Sequence, residues 1–195
     1  MGEAAFKRLS VEEFVHWVRG RPGRWELIEG VPIRMMAGAK GRHNKITANA
    51  IRVLGNQLLE SDCFVLPPDA GVAIGSDHMR LPDVVVDCAP DDDEVPTGDP
   101  RIVIEILSES TRAYDTTDKL AEYQGTPSVN AIVLVNARHV WVRLYERTSE
   151  SWTSRRFTSL DDVIEFTDPT LVLPLHELYR GVSLDPFPPP TMVPE

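Results

Sequence analysis

The chain has 195 residues, 42% of them hydrophobic and 26% charged, which is enough for one globular domain with a real core and excludes a disordered or bilayer-embedded chain. A net charge of −10 argues against a general nucleic-acid-coating protein. The charge is uneven: residues 1–60 carry ten Lys and Arg against six Asp and Glu, net +4, while residues 61–195 are net −14, so a polyanion would dock against the N-terminal part.

No apolar run is long enough to span a bilayer, and the stretch from Met1 to Phe14 lacks the apolar centre of a secretion signal. Cys63 and Cys88 are the only cysteines. Without close spacing they imply neither a disulfide nor a zinc site and favour a reducing compartment, so the expected location is cytoplasmic.

In chain order, Ser10-Val11-Glu12-Glu13 fits a capping box that opens a short helix with Phe14, Trp17 and Val18 on its apolar face. Trp25 to Met35 reads as a β-hairpin turning at Glu29-Gly30, with Glu26 near its start. Ile46, Ala50, Val53, Leu54 and Leu58 recur at helical spacing. That helix opens on Arg42, His43 and Lys45 after glycines, a plausible phosphate contact, although no P-loop ending is present. Short strands are expected at 63–66 and 71–74, and a turn at 75–78. The acidic run Asp91-Asp92-Asp93-Glu94 matches no calcium-loop spacing and reads as a solvated loop. A helix is expected from about Asp115 to Gln124, with Lys119 and Tyr123 one turn apart. Strands follow at 131–135, 140–145 and 152–157, then a short helical turn after Leu175. Residues 1–184 read as one domain, and the Pro-rich residues 185–195 as a disordered tail.

The centre of the chain is Arg101 to Ser108, an aliphatic run typical of a strand covered on both faces. Glu105 interrupts it. A second run, Leu81 to Asp87, carries Asp83 and then Asp87. A carboxylate inside a covered strand costs several kcal/mol unless paired or bound to a metal. Two neighbouring strands with one acid each make a site for magnesium (or manganese), which takes one or two carboxylates and completes its shell with water and substrate phosphate. Asp87, two steps beyond, is expected to meet solvent at the strand end. Lys119 is either a surface partner of Asp115 or a cation aimed at the acids.

These pieces carry a resemblance. Pro82-Asp83 followed by Glu105-Ile106-Leu107 looks like the split signature of the PD-(D/E)XK nuclease superfamily. Trp25 to Gly30, His43, Leu81 to Val86, Val103 to Thr111, Asp118 to Tyr123 and the strand through Val135 resemble, more closely, its Uma2 family (DUF820). The resemblance runs from about Leu9 to Leu178. It implies an α/β (α+β) restriction-endonuclease-like core, with a mixed central sheet flanked by helices and an N-terminal hairpin. It also implies a metal site at Asp83 and Glu105. The superfamily pattern has Lys two residues after the Glu, where this chain has Leu107; in the Uma2-like arrangement the lysine moves to the next helix, as Lys119.

The resulting expectation is a magnesium-dependent (or manganese-dependent) DNA endonuclease, with Asp83, Glu105, Lys119 and Glu26 catalytic, Arg42, His43 and Lys45 on the substrate, and a homodimer as the form that cuts both strands. Two other readings stay open: a non-cutting binding or assembly module on the same fold, and a metal-dependent hydrolase of a small phosphate ester.

Overall fold

The computed structural model describes residues 7–35, 41–90, 97–107 and 115–186. The acidic run 91–94, the Ser108–Thr111 part of the motif and residues 187–195 lie outside them. Helix α1 (Val11–Val18) begins with the capping box read from the sequence: Glu13 N donates to Ser10 Oγ at 3.2 Å, and Ser10 N to Glu13 Oε2 at 3.1 Å. Phe14 packs with Leu27 and Met79 in a small core of its own.

Strands β1 (Trp25–Ile28) and β2 (Val31–Arg34) form the expected hairpin. Its two-residue turn needs positive φ twice, and Glu29 (48°) and Gly30 (75°) supply it. At Gly30 a Cβ would also meet Arg8 Cβ at 2.8 Å. Strands β4 (Val72–Ile74) and β5 (His78–Arg80) complete an antiparallel sheet of order β2-β1-β5-β4. The sequence reading ended the turn at His78 and missed β5. Three residues containing a His and an Arg look like loop, but pairing with both β1 and β4 holds them extended.

The central sheet has the order β10-β9-β8-β7-β6-β3. Its strands are β3 (Phe64–Leu66), β6 (Val84–Asp87), β7 (Pro100–Leu107), β8 (Ala131–Asn136), β9 (Val142–Arg147) and β10 (Trp152–Phe157). It is mixed, as expected, because β7 and β8 run parallel and the other neighbours antiparallel. Helix α3 (Asp115–Gly125) lies on the crossover between the parallel pair.

Helix α2 (Gly41–Gly55) covers one face, where Ile46, Ala50 and Leu54 meet Val84, Val86, Ile102 and Ile104. The hairpin β11 (Val163–Thr167) and β12 (Thr170–Pro174), with helix α4 (Leu175–Leu178), extends that core. The opposite face packs Val85, Val103, Ile132 and Leu134 under Tyr123 of α3. The alternation along β7 thus serves two cores, which is why its run is apolar almost throughout.

Two expectations are corrected. Cys63 and Cys88 are joined by a disulfide: the β3–β6 register, with Phe64 opposite Asp87, brings them side by side one step further on. Sequence spacing of 25 residues concealed this contact. Asp87 does not meet solvent. It is fully buried beyond an irregularity in the β6–β7 ladder and accepts from the backbone N–H groups of Ala89, Gly98 and Asp99 at 3.1, 3.0 and 2.8 Å. Among the described residues no helix is long and apolar enough to cross a membrane.

Candidate active site

The antiparallel register of β6 and β7 pairs Val84 with Ile104. Asp83 lies in the bend just before β6, beside the same stretch of β7. Asp83 N donates to Ile104 O at 3.1 Å, and Asp83 Oδ2 accepts from Ile106 N at 2.7 Å, so the side chain is pinned along β7 beside Glu105. Its other oxygen lies 3.0 Å from His43 Nε2, supplied by the first turn of α2. Asp83 is 8% exposed.

Glu105 projects toward α3, where two residues one turn apart receive it. Tyr123 donates its hydroxyl to Glu105 Oε1 at 2.8 Å, and Lys119 Nζ lies 3.6 Å from the same oxygen. Lys119 is therefore no surface lysine: it is 8% exposed and donates to Glu26 Oε1 at 3.1 Å. Tyr123 is fully buried and also touches the acid.

Glu26 is 1% exposed and serves three donors: Lys119, the backbone N–H of Leu81 at 3.1 Å, and Arg80 Nη1 at 3.0 Å. Arg80, itself 4% exposed, also forks onto both oxygens of Glu122 of α3 at 2.6 and 2.7 Å. Sequence reasoning missed Arg80 and Glu122. The available signal was Glu122 beside Tyr123 and one turn past Lys119, but Arg80 fell between the expected turn at 75–78 and the run from Leu81, and its partner is 42 residues away.

Electrostatics follow from this packing. Burial pushes the Glu105 carboxyl up to about 7; the Lys119 charge and the Tyr123 hydrogen bond pull it down, while Asp83 and Glu26 add to the rise. Burial and the Glu105 charge hold the Tyr123 phenol well above its ordinary value, so it stays a donor. For His43 burial acts against the charged form, but the hydrogen bond and charge of Asp83 outweigh it, and the imidazole is more basic than usual.

Of the predicted substrate contacts, only His43 reaches the acids. A cleft of about 280 Å³ opens there, lined by Arg24, His43, Asn44, Thr47, Pro68 and Asp83 among others. Arg42 and Lys45 point to the C-terminal segment instead: Arg42 forks onto Asp185 at 3.0 and 2.9 Å, and Lys45 donates to Gly181 O at 2.7 Å. Helical spacing puts Arg42 and Lys45 on one side of α2 and His43 on another, which their nearness in sequence hides.

The donor set suits one class of metal. Among the described residues no group of three or more His, Cys, Asp or Glu could hold a metal ion. Two neighbouring carboxylates, Asp83 and Glu105, fit a hard cation that keeps most of its water.

Comparison with known proteins agrees with this architecture. The family model Uma2, described as "Putative restriction endonuclease", matches residues 11–176. The uncharacterized protein slr1290 of Synechocystis sp. is 28% identical over 184 residues, covering 92% of this chain and 96% of that protein. A second uncharacterized Synechocystis protein, sll1609, is 24% identical over 172 residues, covering 84% and 96%. A crystal structure from Anabaena variabilis, described as "a putative nuclease belonging to DUF820", superposes with a TM-score of 0.68 at 18% identity, covering 88% of this chain and 97% of that one.

Proposed function

The chain belongs to the Uma2 family, and from that premise we propose that it is a magnesium-dependent or manganese-dependent endonuclease hydrolysing DNA phosphodiester bonds. The observation that carries the reading is Asp83 held beside Glu105 on β7 by its hydrogen bond from Ile106 N, with the Lys119 ammonium 3.6 Å from the second acid. A divalent ion held by Asp83 and Glu105 would polarise the phosphodiester and make its bound water more acidic.

The chain's own groups have separate tasks. Lys119 stands in for the lysine absent at Leu107 and stabilises negative charge developing on the phosphoryl oxygens. Glu26 holds Lys119 in that position, and the buried Arg80–Glu122 pair holds Glu26. Tyr123 fixes the Glu105 rotamer by donating to one oxygen, and Ile106 N does the same for Asp83. His43 orients Asp83 from the opposite side and faces the cleft where substrate would lie. A pair of subunits related by two-fold symmetry would cut both strands.

The second reading, a nuclease-fold binding module that does not cut, draws on Leu107 and on the −10 charge. Calorimetric titration of magnesium and manganese separates the two. The nuclease reading expects millimolar or tighter binding by the wild type, lost in Asp83→Asn and Glu105→Gln. It also expects hydrolysis of a labelled duplex in preference to a small phosphodiester. Absence of metal binding, or metal binding without either hydrolysis, would favour the module, and faster turnover of the small ester would assign the site to small substrates.

A further inference from the structure

The basic residues that miss the acids converge on a single anion. Arg42 gives Asp185 both Nη atoms, one to each oxygen, and Arg138 Nε donates to Asp185 Oδ2 at 2.6 Å. The backbone closes the arrangement: Asp185 N donates to Arg138 O at 2.7 Å, and His139 Nδ1 lies 3.1 Å from Asp185 O. The two guanidiniums hold the Asp185 carboxyl far below the usual carboxylate range. Lys45, one turn along α2 from Arg42, spends its ammonium on the neutral carbonyl of Gly181.

Its location is specific. Arg42 directly precedes His43, which bonds Asp83. Arg138 and His139 sit in the turn after β8, and Ala137 N donates to Leu107 O, so that turn begins two residues beyond Glu105 on the neighbouring strand. Both arms of the clamp are thus rooted beside the two acids. A guanidinium fork plus a second guanidinium is a donor set for a tetrahedral phosphate as much as for a carboxylate. A backbone phosphodiester resembles a carboxylate in carrying one negative charge over two oxygens. The side chains of Arg42, Arg138 and Asp185 are 33%, 43% and 28% exposed, so solvent and a competing anion can reach the pair.

We propose that Arg42 and Arg138 form a subsite for a nucleic-acid backbone phosphate flanking the scissile bond, and that Asp185 occupies it as an internal stand-in until substrate displaces it. The nucleic-acid assignment rests on the nuclease reading; the anion site rests on the clamp itself. The C-terminal segment then sets a threshold on substrate binding, since the incoming phosphate must replace Asp185.

The test measures binding of a short duplex and of inorganic phosphate in EDTA, where no cutting occurs, to wild type, Asp185→Asn, Asp185→Glu and the Arg42→Ala/Asp185→Asn double variant. Thermal midpoints check folding. Asp185→Asn is expected to bind the duplex about 3- to 10-fold more tightly at low salt, with a salt dependence steeper by about one phosphate contact. Asp185→Glu should behave as wild type, and the double variant should lose the gain. Unchanged duplex and phosphate binding in a folded Asp185→Asn, or a gain that survives Arg42→Ala, would overturn the subsite. A gain for inorganic phosphate with none for the duplex would keep the anion site and overturn its assignment to nucleic acid.

Discussion

Glu105 is the residue on which the site turns, and its environment has a measurable cost. Burial beside Asp83 raises its pKa from 4.5 to about 7. A folded-state pKa raised above the unfolded one means the folded chain binds more protons between those values. Stability from this group is therefore full below about pH 4.5 and is lost as pH rises through about 7. The metal-free protein should lose up to about 3 kcal/mol across that window, and Glu105→Gln should flatten the loss in urea titrations at a series of pH values. An unchanged pH profile in the variant would mean that Glu105 is not held in this state. Asp83 and Glu105 were legible in the sequence because a lone acid in an aliphatic run has few structural excuses. Lys119 was legible only through the resemblance, since its spacing to Asp115 fits a surface bridge equally well. Arg80 was not legible at all: its two acids come from β1 and α3, and no local pattern links them.

At the scale of elements, α3 delivers Lys119, Glu122 and Tyr123 from one helical face, and β1 with β5 delivers Glu26 and Arg80. The small hairpin sheet is thus tied to the acid-bearing face by buried charge, and this tie could not be seen while β5 went unrecognised. Helices and long strands were readable because their periodicity is local. The short strands β3 and β4 were readable from the apolar runs at 63–66 and 71–74, whereas β5 and the β11–β12 hairpin exist through pairing partners and through burial such as that of Ile164, Phe166, Leu171 and Leu173 in the α2 core. The Cys63–Cys88 bond belongs to this level, since it staples the edge strand β3 to β6, the strand that follows Asp83. Closing a loop of 25 residues should contribute about 3 kcal/mol. Comparing unfolding of the oxidised protein with the reduced, alkylated protein measures it; equal midpoints would show that the bond adds nothing to the folded state.

For the whole molecule, an acidic chain that engages DNA must do so through local charge. The net charge of −10 repels a polyanion at long range, and the +4 of the first sixty residues is partly consumed by internal pairs such as Arg42 with Asp185. Such a protein is expected to work at low ionic strength, to depend on divalent metal for productive contact, and to lose activity steeply with salt. The direct measurement is plasmid cleavage at low salt with magnesium or manganese, by wild type and Glu105→Ala purified side by side, with EDTA as control. The account predicts nicking or linearisation by the wild type alone, abolished by EDTA. Equal cutting by both proteins, or cutting that persists in EDTA, would contradict the assignment of metal-dependent hydrolysis to Asp83 and Glu105.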